Sequence, residues 1–235
     1  MTGTLGVQAT AVVADLARAR AAAPEVWRDV RRYDPPAQAA LFAAHAALAG
    51  AADPAGMALV ALAPCRAGSP EMFAWVRRIE AGQRAGEAVR MNPLHTLHAV
   101  DNLALSALSI ALGARGEGVC LGGAPGQWGE ALALLLGVLR AGGAREGLLF
   151  AGDQADAEAG GPVYGAALRL GPGPGRWPVG GVERVARAAA PALDATAGLR
   201  AFIAWLDEVG TCFEAPAEAG DGRETFRVHG GGHGA

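Results

Sequence analysis

The chain has no apolar run long enough to cross a bilayer, no run of basic residues and no cysteine pair at metal-ligating spacing. It also lacks the short motifs of serine hydrolases, zinc proteases and P-loop proteins: no GxSxG, no HExxH and no Walker loop. Its longest strongly apolar stretch, residues 131–138, falls far below the ~20 residues of a spanning helix, so no membrane partner is expected. No Lys or Arg precedes Arg18, so the charged start of a secretory signal is missing and a cytoplasmic location is expected. Cys65, Cys120 and Cys212 are widely spaced and odd in number, which supports neither a disulfide framework nor a zinc site. With 20 Lys+Arg against 23 Asp+Glu, a formal charge of -3 and no basic–aromatic interleaving, nucleic acid is not an expected partner.

What is present is enough for one core: 235 residues, 51% of them hydrophobic. We expect one domain over residues 1–213 and a disordered tail over 214–235, which has no periodicity and ends His229-Gly-Gly-Gly-His233-Gly-Ala. Abundant Ala and Gly blur helix propensity, so spacing carries more weight.

Continuous apolar runs at 57–63 and 147–151 have strand length and the composition of strands buried on both faces. Strands are also expected at 118–123 and 163–170. Helices are expected at 24–27, 37–48, 70–81, 97–112 and 126–139. The helix at 97–112 should bury Val100, Leu103, Ala107 and Ile110 on one face. Gly171-Pro-Gly-Pro-Gly175 reads as a turn, and 182–209 as a helical region interrupted near Pro191. Strands alternating with helices make the fold α/β.

Asn92-Pro93, Asn102 nine positions later, Gly113-Ala-Arg115-Gly116, Ala141-Gly142 and Phe150-Ala-Gly-Asp153 stand in one register without a gap. They resemble the Ser-Pro, helix-initial Asn, Gly-Leu-Arg-Gly, Gly-Asp and Ala-Gly-Gly-Ala-Glu of the β-ketoacyl synthases of the thiolase-like superfamily. With similar segments on either side, the resemblance covers residues 57–170. It implies a thiolase-like half-fold whose mixed central sheet is covered by helices.

In ketosynthases the nucleophilic Cys follows an Ala at a strand-to-helix turn. In this register the Ala is Ala124 and the next residue is Pro125. Proline offers no thiolate and no N–H for the thioester oxyanion, so the resemblance implies loss of the family's condensing chemistry. The family's two catalytic histidines come from a second half that this chain is expected to end before. Chain-length factors resemble ketosynthases, lack the Cys and pair with an active synthase. They commonly carry Gln where Pro125 stands, and Gln127 is out of register with that Gln.

The resemblance therefore implies a non-catalytic, chain-length-factor-like subunit of fatty-acid or polyketide biosynthesis, without a cofactor. Its implied partners are a ketosynthase subunit in a heterodimer, or itself in a homodimer, and an acyl carrier protein. Pairing is expected through the strand 118–123 and the loop 92–100, which makes His95, His98, Asn102, Val119, Leu121 and Gln127 interface or pocket candidates.

Other chemistry is weaker. Cys120 lies inside a strand, five residues before the turn, and reads as a small core residue; Cys65, beside Arg66, reads the same way. His95 and His98 share helical spacing but lack a third ligand, and His229 and His233 sit in a glycine tail rather than after strands. Two alternatives stay open. One is a small α/β nucleotide-dependent enzyme using the turn 123–129, although GxGxxG is absent there. The other is a scaffold that binds acyl-carrier domains.

Overall fold

A computed structural model of the chain describes residues 4–23, 30–64, 70–87, 102–122, 127–155, 161–186, 195–206, 212–217 and 224–230. In chain order the elements are β1 (Leu5–Val13), α1 (Leu16–Ala22), α2 (Pro35–Ala47), β2 (Ala58–Leu62), α3 (Pro70–Ala85), α4 (Leu103–Leu112), β3 (Gly118–Leu121), α5 (Gln127–Ala141), β4 (Gly147–Gln154), β5 (Val163–Pro172), β6 (Trp177–Ala186), α6 (Ala195–Leu206), β7 (Cys212–Ala217) and β8 (Glu224–Gly230). One eight-stranded sheet runs in the order β3-β2-β4-β5-β1-β6-β8-β7. β2 is parallel to β3 and β4, and the remaining neighbours are antiparallel.

The parallel strands dictate where the helices go. The chain leaves β2 toward β3 and then returns past β2 to β4, so right-handed crossovers put α4 and α5 on opposite faces of the sheet. Alternate residues of the central strands serve two cores. Val60, Leu62, Leu149 and Ala151 pack with Trp128, Leu132, Leu135, Leu136, Leu199 and Phe202. Leu59, Ala61, Leu148 and Phe150 pack with Leu41, Ala44, Leu105 and Leu108 of α2 and α4. This is why β2 and β4 read as unbroken apolar runs.

α2 is buried nearly all round because its backbone lies directly on the sheet. Two glycines make that approach possible. A Cβ on Gly152 would overlap the Pro36 carbonyl, and one on Gly165 the Ala39 carbonyl.

The 171–175 segment is the β5–β6 turn, with Gly173 at φ +90° and Gly175 at φ +55°, values that suit glycine. The β1 register shifts between Val7 and Ala9. The intervening Gln8 turns its amide onto the Gly171 and Pro172 carbonyls at 3.4 and 3.2 Å, tying this irregularity to the turn.

Three expectations are corrected. Residues 182–186, expected to begin a helical region over 182–209, instead end the strand β6, because β8 supplies a partner along Val182–Ala186. The described parts of 214–235 are not disordered: 212–217 and 224–230 are strands that complete the sheet. Within α4 the buried residues are Leu105, Ala107 and Leu108, whereas Ile110 is 82% exposed. Ile110 stands two residues after Leu108, more than half a turn around the helix, so both cannot face the sheet. Val100 and residues 24–27 lie outside the described residues.

The sheet face over Leu149, Ala166 and Leu168 is covered by α6, which packs there beside α5. An aromatic cluster holds the cover in place. Phe202 stacks on Trp128 at 5.7 Å, and Trp177 meets Phe202 and Trp205 edge-on at 5.9 and 5.0 Å.

Candidate subunit edge and elbow

β3 ends the sheet. Its residues Gly118, Val119, Cys120 and Leu121 pair with Leu59, Val60, Ala61 and Leu62 of β2, and among the described residues no strand pairs with its outer edge. Val119, Cys120 and Leu121 are all half-buried. Leu121 packs with the α5–α6 core and Cys120 with the α2–α4 core. The helices on either side of β2 each expose one large apolar side chain, Ile110 on α4 and Leu134 on α5. A short strand that ends a sheet among the described residues is a place where another chain can pair.

The turn that follows is anchored at both ends. The Leu121 carbonyl accepts from the Ala63 N–H at 2.9 Å, which fixes the end of β3 against the exit of β2. Beyond it, Gln127 opens α5 and folds back over the strand end: a Cβ on Gly122 would lie 3.0 Å from Gln127 Oε1. That Oε1 is buried and has no hydrogen-bond partner. The next residue, Trp128, is fully buried against α6, where a Cβ on Gly198 would overlap its ring. Gly123, Ala124, Pro125 and Gly126 lie between these anchors, outside the described residues.

The other sequence candidates separate. Val119, Leu121 and Gln127 gather around the edge and its elbow. Asn102 precedes α4, is exposed and makes no side-chain capping bond to the helix. His95, His98, Cys65 and His233 lie outside the described residues. His229 is not in a tail but in β8, opposite Gly181 and Cys212, at the far side of the sheet from β3. Cys120 is only half-buried, because its strand is the sheet edge rather than an interior one.

No group of three or more His, Cys, Asp or Glu among the described residues is arranged to hold a metal ion. No helix among them is long and apolar enough to cross a membrane. Sequence reading passed over Gly198, whose lack of a side chain seats Trp128 behind the elbow. A glycine within an otherwise apolar helix was the available signal.

No protein-family model and no curated protein matches the chain. Solved structures do. A ketosynthase in complex with its chain length factor, from Xenorhabdus doucetiae, matches with a TM-score of 0.64 and 14% identity over 96% of this chain and 99% of the matched chain. A type II PKS acyl-carrier protein in complex with its ketosynthase matches with a TM-score of 0.65 and 10% identity over 97% and 99%. The ishigamide ketosynthase/chain length factor matches with a TM-score of 0.56 and 16% identity over 78% and 68%. The chain thus has the thiolase-like fold of ketosynthases and chain length factors.

Proposed function

We propose that this chain is a non-catalytic, chain-length-factor-like subunit of fatty-acid or polyketide assembly that pairs with an active ketosynthase through the outer edge of β3. The observation that carries the reading is the strand order β3-β2-β4-β5-β1 with the β3-to-α5 connection at its rim. In the ketosynthase register this connection is the nucleophile elbow, and its sequence is Gly-Ala-Pro-Gly, with Pro125 where the thiol belongs. A proline there removes both the attacking group and a backbone donor, so condensation has no first step.

Two further observations support a subunit role. The matches to chains from a ketosynthase–chain length factor complex and a ketosynthase–carrier complex run nearly end to end in both partners. The open edge of β3, with half-buried Val119 and Leu121, supplies a place for a synthase strand. An acyl carrier protein is then a partner of the assembled pair.

Co-expression with a candidate ketosynthase, followed by size-exclusion chromatography with light scattering, tests the reading. A stoichiometric complex is expected. A chain that remains monomeric alone and beside every synthase encoded near it would overturn the proposal.

A further inference from the structure

The C-terminal end of α5 borders a cavity of about 610 Å³, within the size range of small-molecule sites. Leu5 of β1, Pro172 of β5, Leu139 and Ala141 of α5 and the following Ala144 give it apolar walls, and Arg140 and Arg145 supply its charge. Backbone hydrogen bonds fix these walls. Gly142 and Gly143 close α5 by donating to the Leu139 and Val138 carbonyls at 3.2 and 3.0 Å. On the other side Gly173 donates to the Thr4 carbonyl at 2.8 Å, next to the paired Leu5 and Pro172.

The two arginines are not spent on the chain's own acids. Arg140 donates one N–H to the Gly180 carbonyl of β6 at 2.7 Å, which holds the guanidinium in place and leaves its other donors. Arg145 is exposed and forms neither an ion pair nor a hydrogen bond among the described residues. No carboxylate lines the cavity, and Glu146, next in the chain, is taken by Arg169 at 3.2 Å. Guanidinium groups at an apolar cavity complement an anion that carries an apolar body. The end of α5 that lines the same space is the negative end of its macrodipole, so a second negative charge on the ligand is penalised. We infer that this cavity is a binding site for a small, singly charged organic carboxylate with an apolar body, its carboxylate held by Arg140 and Arg145. The 15 residues of α5 put the site about 20 Å from the elbow, so it is separate from the β3 edge and does not depend on pairing with a synthase.

The test uses the full chain alone. Benzoate is titrated at constant ionic strength set with chloride while amide shifts are followed by nuclear magnetic resonance. Saturable shifts at Leu5, Ala141, Gly142 and Ala144 are expected, half-complete at about 1 mM or below. Acetate, which lacks the apolar body, and phenyl phosphate, which carries the second charge, should each bind more weakly. Arg145→Gln should weaken benzoate about tenfold or more, as loss of a charge-assisted hydrogen bond does, while Arg84→Gln on α3 should not. Ala141→Trp, at an exposed position of the cavity wall, should block binding with both arginines in place. Acetate or phenyl phosphate binding as tightly as benzoate would overturn the ligand class. Shifts no larger than chloride produces, or unchanged binding in Arg145→Gln and Ala141→Trp, would overturn the site.

Discussion

Gly152 and Gly165 stand directly opposite each other across β4 and β5, and the first turns of α2 rest on the pair. Neither position has room for a Cβ, because the Pro36 and Ala39 carbonyls occupy that space. The sheet and helix therefore meet backbone to backbone, which brings Leu41 and Ala44 down onto Phe150 and Ala167. Gly152 also belongs to the Phe-Ala-Gly-Asp segment that carries part of the ketosynthase resemblance, so that glycine has a packing reason.

Gly152→Ala and Gly165→Ala should each destabilise the chain by about 1–3 kcal/mol or more, because α2 must lift off the sheet. Gly137→Ala, at an exposed position of α5 with nothing near its would-be Cβ, should instead stabilise by about 0.5–1 kcal/mol. Urea midpoints of the three variants check the contrast. Equal shifts for all three would show that α2 does not sit on the glycines.

Arg169 and Glu146 form an ion pair at 3.2 Å with side chains only 8% and 18% exposed, and Arg169 also donates to the Ala49 carbonyl at 3.2 Å. Arg169→Met should cost about 3–5 kcal/mol, since it strands a largely buried carboxylate and leaves that carbonyl without its donor. Adding Glu146→Leu should recover a large part of the loss. A double variant as unstable as the single one would place the cost in the lost carbonyl contact rather than in the charge.

Val119→Lys or Leu121→Asp should dissociate the assembly, whereas Arg145→Ala should leave it intact. A specific interface buries at least about 1,000 Å² with an apolar centre, and these two half-buried side chains lie on β3, which ends the sheet among the described residues. Sedimentation velocity of each variant with its synthase provides the comparison. An intact complex with both substituted strands would move the interface elsewhere.

The purified chain should form no β-ketoacyl product from acyl- and malonyl-carrier substrates, and Pro125→Cys alone should not restore turnover. This follows from the expectation that no histidine pair is positioned to handle the thioester; His229 lies in β8, across the sheet from β3. Product from the single variant, followed by mass spectrometry, would show that catalytic histidines are present.

Local sequence was sufficient where an element's environment is symmetric or its chemistry is carried by one residue. Ala58–Leu62 and Gly147–Ala151 are apolar on both sides because both faces are covered. The glycines at 173 and 175 mark the turn because only their φ values allow it without strain. The identity of Pro125, and with it the expectation of lost condensing chemistry, needs no coordinates at all.

Tertiary structure decided what depends on distant partners. Val182–Ala186 is a strand because Glu224–Val228 lies beside it, and Cys212–Ala217 because β8 has an open edge. Strand formation rests on such pairing and packing more than on intrinsic preference, and an Ala-rich sequence leaves that preference weak. The side of α4 that is buried, Leu105 and Leu108 rather than Ile110, was likewise set by where right-handed connections lay the helix on β2 and β3. Arg200 over Tyr164 joins residues whose proximity no local pattern encodes. Residue types and short-range geometry were therefore legible in the chain, while long-range pairing was settled only when the whole sheet closed its surfaces.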